Sequence, residues 1–224
     1  MNLNINKIKA IIFDMDGVIF DTEMVYLKVW SKVFEKYGYK MTKEIYTSVL
    51  GTGRENVKKV FVNNYGSNLP IDDMYKEKDE NLAKEIEKGV ALKAGAYEIL
   101  KYLKENDFKI ALATSAISKR AFKQLKQANI YKFFDAVVCR DEVEKTKPNP
   151  DIFLKAADKL NVNKSECIVI EDSSAGIKAA FNAGMIPIHV IDLKDADSDI
   201  LEMAYKSFNN LNDIKNELIN LKNI

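Results

Sequence analysis

The spacing of apolar residues in the second half of the chain switches repeatedly between a strand-like and a helical pattern. Short runs rich in β-branched residues are separated by stretches in which apolar residues recur at helical spacing. The predicted strands are residues 109–113, 136–139, 167–171 and 187–191, and the predicted helices are 96–105, 118–127, 151–160 and 174–183. Strands that alternate with helices form βαβ units, which predicts a parallel sheet with helices on both faces.

The first half of the chain begins with one more strand and continues with helices. Residues 8–13 form an isoleucine-rich run that predicts a strand ending at Asp14. From Thr22, which can serve as an N-cap, apolar residues recur on one face of a helix. Residues 41–90 contain no convincing strand, and 75–89 predict a charged, solvent-exposed helix that ends at Gly89.

The first strand can be covered on both faces only if it joins the later strands in one sheet. We therefore expect a Rossmann-like, doubly wound α/β core made of residues 1–18 and 92–224. An all-helical cap, residues 19–91, is then inserted after the first strand. Open α/β sheets bind ligands at the carboxyl ends of their strands, so we expect the insertion to act as a lid.

Composition and charge exclude several classes of function. The chain has 34 basic and 33 acidic side chains, and a formal net charge of +1 attracts neither nucleic acid nor an anionic membrane. Two cysteines and one histidine cannot supply the usual Cys/His zinc site, which leaves oxygen ligands for any metal. Neither an N-terminal apolar segment nor a run of roughly 20 apolar residues is present. We expect a cytoplasmic monomer.

Polar side chains follow the predicted strands, at the point where each strand ends or in the loop after it. They are Asp14, Asp16, Thr114, Lys147, Glu171 and Asp172. Because parallel strands bring their carboxyl ends to one edge of the sheet, we expect these residues to share one site. Four carboxylates at short range repel one another unless a cation lies between them, and oxygen ligands without histidine suit Mg²⁺.

The remaining members of this set suit a phosphate group. A hydroxyl and a helix N-terminus at Thr114 supply donors to an anion, and Lys147 adds a positive charge. Together with a carboxylate nucleophile and Mg²⁺ they predict phosphoryl transfer through an aspartyl-phosphate. Asp14 would attack phosphorus, while Asp16 would protonate the leaving alkoxide and later take a proton from the attacking water.

Taken singly, each motif also has a plainer interpretation. The Asp16-Gly17 pair between apolar runs favours a type I′ hairpin, although its Gly17 comes too early for a calcium-binding loop. Thr114 could be an ordinary strand-end hydroxyl, and Lys145 rivals Lys147. Ser173 could simply cap a helix whose positive end favours the acidic residues before it.

Four segments, FDMDGVIFDTE, ALATS, KPNPDIF and VIEDSSAGI, resemble the motifs of the haloacid dehalogenase-like superfamily. The resemblance covers essentially the whole chain and is to the β-phosphoglucomutase-like branch, which carries a helical cap. It implies a nucleophile and an acid/base, phosphate binders, and ligands of Mg²⁺. The implied nucleophile is Asp14 and the implied acid/base is Asp16. The implied phosphate binders are Thr114, Ser115 and Lys147. The implied ligands of Mg²⁺ are Asp14, Glu171, Asp172 and the backbone carbonyl of Asp16.

Within this branch the resemblance allows two activities. One is a Mg²⁺-dependent phosphatase acting on a small phosphorylated metabolite, a sugar phosphate; the other is a β-phosphoglucomutase-type mutase. The mutase pattern has a histidine in the first cap helix, where this chain has Tyr26, and this difference favours the phosphatase. Asp16 argues against a dehalogenase, because displacement of a halide produces no alkoxide to protonate.

The segment GTGREN, residues 51–56, resembles the substrate-facing loop of the cap. Its glycines permit unusual backbone angles, and Arg54 could reach a phosphate or sugar hydroxyls, although it could equally be an ordinary exposed arginine. Lys76 and Lys78 are weaker candidates for the same role.

Two other classes of protein share part of this residue set. A signalling receiver also combines acids, a threonine and a lysine on a parallel sheet, but it carries its phosphate acceptor on a later strand and has no cap. A non-catalytic binding protein is disfavoured because no member of the motif set is missing.

Overall fold

The computed structural model describes residues 3–50, 52–194 and 198–222. Their strands form one six-stranded parallel sheet in the order β3-β2-β1-β4-β5-β6. The strands are β1 (Ala10–Phe13), β2 (Lys109–Ala113), β3 (Ala136–Val138), β4 (Cys167–Glu171), β5 (Ile186–Val190) and β6 (Ser207–Phe208). The predicted α/β fold class is confirmed, and β1 lies inside the sheet between β2 and β4.

Helices occupy most of the remaining chain. They are α1 (Thr22–Lys36), α2 (Lys43–Ser48), α3 (Arg54–Tyr65), α4 (Ile71–Glu87), α5 (Ala96–Glu105), α6 (Ser118–Gln127), α7 (Asp151–Leu160), α8 (Ser174–Asn182), α9 (Ser198–Leu201) and α10 (Leu211–Lys222). None of the helices in the described ranges combines the length and the apolar content that crossing a membrane requires.

Strand β1 is buried along its whole length, as a strand covered on both faces must be. All four of its residues are buried, and Phe13 is in register with Leu112 of β2 and Ile170 of β4. Alternate residues of β1 to β4 face α7 and α8, and form one apolar cluster with them. Among the other helices of this unit, α5 contacts β2, and α10 contacts α5 and β6. Continuous apolar runs, rather than alternating ones, are typical of parallel strands packed in this way.

The chain divides into two compact units, residues 1–21 with 91–224, and residues 22–90. The second unit holds α1 to α4 and no strand among its described residues. At its centre the ring of Trp30 meets Phe34, Phe61 and Tyr75 edge to face, with centroid distances of 5.7, 5.3 and 4.9 Å. Such aromatic pairs add about 0.5–1.5 kcal/mol each beyond the area they bury. The helical unit therefore has a core of its own, and its role as a cap stays a prediction.

The charged segment 75–89 differs from its prediction. It belongs to α4, but the helix begins at Ile71 and ends at Glu87, and it buries Tyr75, Lys78 and Leu82. The expectation of a solvent-exposed helix was therefore wrong for one face. Residues three and four apart share a helix face, so a few apolar positions are enough to bury a segment of mostly charged composition, including the stem of Lys78.

Candidate active site

The carboxyl ends of β1, β2 and β4 bring the predicted site residues together. Asp14 follows β1 directly, and its amide donates to the carbonyl of Ile170 at 3.0 Å. Glu171 is the last residue of β4, and Thr114 follows β2. Because the three strands are adjacent and parallel, residues more than a hundred positions apart lie at one edge of the sheet.

Three carboxylates form a compact cluster at this edge. Asp14, Glu171 and Asp172 each offer one oxygen, and these oxygens all lie within 4.8 Å of one another. Asp14 is 7% exposed and Glu171 is 1% exposed. Asp14 after β1 thus meets Glu171 and Asp172 at the end of β4, as their positions at the strand ends predict.

Lys147 supplies the positive charge of the cluster. Its Nζ donates to Oδ1 of Asp14, to Oε1 of Glu171 at 2.8 Å and to the carbonyl of Ala113 at 3.2 Å. Its rival Lys145 is exposed to solvent. The structure therefore places Lys147, and not Lys145, among the acidic side chains.

Glu171 is held in one orientation by several neighbours. Its Oε2 accepts from the amide of Ser173 at 2.8 Å and from the hydroxyl of Ser173 at 2.9 Å. A Cβ at Gly176 would lie 1.8 Å from Oε1 of Glu171, so no larger residue fits there without displacing the carboxylate. The Ser173 hydroxyl also accepts from the amide of Gly176 at 3.0 Å, which makes Ser173 the N-cap of α8. The plainer interpretation of this motif is correct as well, since one segment both caps a helix and fixes Glu171.

Burial and like charge shift the proton affinities of these groups. Burial, together with the charges of Glu171 and Asp16, raises the pKa of Asp14 to about 7, against the lowering effect of Lys147. Burial and the charges of Glu171, Asp14 and Asp192 also raise the pKa of Asp172 well above its usual value. Burial opposes the charged form of Lys147, but the charges of Asp14 and Glu171 outweigh it and raise the pKa of Lys147.

The charge balance of the cluster fits a divalent cation. Three carboxylates face one ammonium, and within the described ranges no hydrogen-bond donor meets the carboxylate of Asp172. A cation with charge +2 would balance the two carboxylates that Lys147 leaves uncompensated. Hard oxygen ligands of this kind are those that Mg²⁺ and Ca²⁺ prefer.

Thr114 and Ser115 lie beside the cluster in different environments. Thr114 is buried, and its Oγ1 accepts from the amide of Ala116 at 3.0 Å, whereas Ser115 is exposed. A hydroxyl that accepts one hydrogen bond keeps its proton for a second partner. Both residues precede the N-terminus of α6, and their role as phosphate binders stays a prediction.

Asp16 lies on a turn and does not belong to the carboxylate cluster through its side chain. Gly17 has a φ of +81°, and the amides of Ile19 and Phe20 both donate to the carbonyl of Met15. This compact turn replaces the type I′ hairpin that the Asp-Gly pair favours. The carboxylate of Asp16 forms an ion pair with Arg120 of α6. A metal-binding role for the backbone carbonyl of Asp16 stays a prediction.

Three further residues near the cluster had not been predicted from the sequence. They are Arg120, Asp192 and Lys93. Asp192 follows β5 and forms an ion pair with Lys93, whose Nζ also lies 4.0 Å from Oδ1 of Asp21. Burial raises the pKa of Asp192. A Cβ at Gly17 would lie 2.2 Å from Oδ2 of Asp172 and 3.1 Å from Oδ2 of Asp192, so this glycine permits a close approach of backbone to two carboxylates.

The substrate-facing candidate Arg54 lies in the helical unit. Gly51 lies outside the described residues, and Gly53 has a φ of +82°, as the glycine-rich segment predicts. The guanidinium of Arg54 stacks 4.2 Å from the ring centroid of Tyr75 and lies 3.6 Å from Asp79. Lys78 is buried, and its Nζ lies 5.4 Å from the same ring centroid and 2.5 Å from Asp79. Arg54 and Lys78 thus form a cationic pair on one tyrosine, and Arg54 keeps about half of its side chain exposed.

Comparison with known proteins finds relatives of two named activities. A phosphorylated carbohydrates phosphatase of Thermotoga maritima is 31% identical over 181 residues, which cover 81% of this chain and 84% of that protein. A β-phosphoglucomutase of Bacillus subtilis is 33% identical over 81% of this chain and 83% of that protein.

Solved structures and a family model complete the comparison. The crystal structure of a putative β-phosphoglucomutase from Thermotoga maritima is 29% identical and superposes with a TM-score of 0.77, covering 95% of this chain and 99% of that one. Residues 11–190 match the family model described as haloacid dehalogenase-like hydrolase. This span contains all four motifs and confirms the resemblance that they carry. The chain belongs to the haloacid dehalogenase-like hydrolases.

Proposed function

We propose that this protein is a Mg²⁺-dependent phosphatase that hydrolyses a small phosphorylated metabolite, a sugar phosphate, through an aspartyl-phosphate on Asp14. The observation that carries the proposal is the cluster of Asp14, Glu171 and Asp172 around the single ammonium of Lys147. Relatives named as phosphatases, one of them for phosphorylated carbohydrates, support the reaction class and the substrate class.

The cation site would be made by Asp14, Asp172, Glu171 and the backbone carbonyl of Asp16. When bound there, Mg²⁺ supplies positive charge that favours ionised carboxylates and attracts the oxygens of a phosphate group. Glu171 already accepts from Lys147 and Ser173, whereas the Asp172 carboxylate faces no donor in the described part of the chain. We therefore expect Asp172 to be the dominant side-chain ligand besides Asp14.

The reaction then follows from the positions of the side chains. The Asp14 carboxylate attacks phosphorus, so that a new bond joins its oxygen to phosphorus while the bond to the sugar oxygen breaks. Lys147 and the hydroxyl of Thr114 bind phosphoryl oxygens, and Asp16 gives its proton to the departing alkoxide. Asp16 next takes a proton from a water molecule that attacks phosphorus, which releases inorganic phosphate and restores Asp14.

Phosphate release from a panel of sugar and polyol phosphates in the presence of Mg²⁺ tests the proposal. Asp14→Asn should abolish release, because an amide is not a nucleophile of this kind, and Asp158→Asn serves as the matched control on an exposed position of α7. Absence of phosphate release from the whole panel would refute the phosphatase, and full activity of Asp14→Asn would refute the role of Asp14.

The similarity to β-phosphoglucomutases favours one alternative, a mutase that returns the phosphoryl group to the sugar. Incubation with β-glucose 1-phosphate and a trace of the sugar bisphosphate separates the two. Glucose 6-phosphate as product identifies a mutase, and inorganic phosphate identifies a phosphatase. We favour the phosphatase, because the position matching the mutase histidine is Tyr26.

We also infer that the helical unit contributes to the choice of substrate through Arg54. Its guanidinium is supported by the ring of Tyr75 and keeps about half of its surface free for solvent or ligand. Arginine binds phosphate and hydroxyl oxygens through several donors at once, which gives it directional selectivity. Lys78 is buried beside it and adds a second positive charge.

A further inference from the structure

We propose that Arg120 is a positioning residue that fixes the direction of the Asp16 carboxylate for proton transfer to the leaving group. The inference rests on the proposed phosphatase function and adds a residue to it. It follows from one ion pair at the edge of the sheet, between two residues that lie 104 positions apart.

The guanidinium of Arg120 is held from two sides. Its Nη2 donates to Oδ1 of Asp16, and its Nε donates to Oε1 of Gln124 at 3.2 Å, one helical turn further along α6. Gln124 is itself buried, with 2% of its surface exposed. Arg120 thus connects the carboxylate of Asp16, which lies on a turn, to a buried residue of the core.

Neither helix stability nor ion-pair energy accounts for an arginine at this position. Arg120 lies in the first turn of α6, which holds no acidic residue of its own, and a cation at the positive end of a helix is unfavourable. The side chains of Arg120 and Asp16 are 27% and 30% exposed, and pairs with that much solvent contribute little to stability. The contact is therefore better explained by what it does to Asp16.

Proton transfer depends on the direction of the acid. A general acid must come within hydrogen-bonding distance, roughly 2.6–3.2 Å, of the oxygen that it protonates. A misplacement of about 1 Å can cost about 100-fold in rate. Asp16 lies on the turn after β1, and Arg120, whose guanidinium is itself held by Gln124, is one of the groups that set where its carboxylate points.

Two substrates with different leaving groups test this role. A sugar phosphate releases an alkoxide that needs a proton, whereas p-nitrophenyl phosphate releases a stable phenolate that departs without one. For Arg120→Met we expect kcat/KM to fall about 10- to 100-fold on the sugar phosphate and less than about three-fold on p-nitrophenyl phosphate. The ratio kcat/KM reports the steps up to formation of the aspartyl-phosphate, so the later attack of water does not enter the comparison.

Control variants separate positioning from damage to the fold. Lys119→Met removes the neighbouring, exposed cation of the same helix turn and should leave both substrates unaffected. Arg120→Lys keeps the charge without the planar fork and should show the same selectivity with a smaller loss. Asp16→Asn should reproduce the pattern, and Arg120→Met should cause no further loss in that background, since the two residues then act as one unit. Thermal melting of each variant checks that it is folded.

The outcomes are distinct. An equal loss on both substrates, or a change confined to KM, would make Arg120 a phosphate ligand or a structural residue and would overturn the proposal. No loss on either substrate would overturn it as well. A wild-type protein without activity on any phosphate ester would instead refute the phosphatase function itself, so the two failures cannot be confused.

Discussion

The Nζ of Lys147 lies 2.8 Å from Oε1 of Glu171, and the same nitrogen donates to Oδ1 of Asp14 and to the carbonyl of Ala113. An ammonium group has three donors, and here all three meet protein oxygens. Lys147 therefore links the acid after β1 to the acid that ends β4. To bind a phosphoryl oxygen, it must exchange one of these three partners for the substrate.

Replacement of Lys147 should damage both stability and activity. Lys147→Met leaves the buried carboxylates of Asp14 and Glu171 without their counter-ion, and loss of one partner of a buried pair typically costs about 3–5 kcal/mol. Urea denaturation in a chelator measures this cost, and phosphate release measures the activity. The exposed Lys145 offers the same substitution two residues away, and Lys145→Met should stay within about 0.5 kcal/mol of wild type. Equal stability of both variants would contradict the bridging role of Lys147.

Mg²⁺ should stabilise the folded protein, and its removal should stop turnover. A ligand that binds only the folded state at about 100 times its Kd adds about 2.7 kcal/mol to the free energy of unfolding. Thermal melting across a Mg²⁺ series measures the gain, and chelation followed by phosphate release measures the loss of activity. Asp172→Asn should reduce the gain, because it removes a ligand, whereas Asp158→Asn should not. A melting curve that does not respond to millimolar Mg²⁺ would count against the shared site.

Stability without metal should depend on pH in a defined direction. The pKa of Asp14 is raised from 3.8 to about 7 in the folded state, so between these values the folded protein holds a proton that the unfolded chain has released. The free energy of unfolding therefore falls as pH rises through this window. In a chelator, wild type should lose melting temperature relative to Asp14→Asn between about pH 4 and about pH 7, since asparagine does not titrate. Saturating Mg²⁺ should remove this difference, and a wild type that gains stability relative to the variant would show that the sign is wrong.

Arg54 should affect binding of the substrate more than the chemical step. Arg54→Ala removes an exposed guanidinium that stacks on Tyr75, and we expect KM to rise about ten-fold with kcat changed less than about two-fold. Lys59→Ala is the control, because Lys59 is exposed on the same helix α3. Initial rates across a concentration series of the preferred sugar phosphate give KM and kcat separately. An unchanged KM would mean that Arg54 is an ordinary surface arginine.

The sequence was sufficient for the core fold up to β5, because the signals of these elements are local, whereas α9, β6 and α10 were not predicted. Residues 118–127 and 151–160 were predicted as helices with the bounds that the structure has, and 109–113 and 167–171 as strands. Period and composition alone specify such elements. The meeting of Asp14 with Glu171 was also predictable, since parallel strands present their carboxyl ends at one edge whatever their separation in the chain.

Details of pairing depended on packing between distant segments. Hydrophobic pattern and strand-end position do not separate Lys147 from Lys145, and only the resemblance of KPNPDIF to a family motif favoured Lys147. The only sequence signal for Arg120 was a cation in the first turn of a helix, where the dipole disfavours it. The burial of Lys78 was hidden by the charged composition of α4.

The amino-acid sequence by itself thus predicted five of the six strands, the helical insertion and the set of chemical groups at the strand ends, and it missed the short edge strand β6. Only the tertiary structure decided that the ammonium of Lys147 bridges Asp14 and Glu171 and that the guanidinium of Arg120 contacts Asp16. The physical reason is range: hydrophobic period and strand-end position act over a few residues, whereas the partner of a charged side chain is chosen by whatever folding brings within hydrogen-bonding distance.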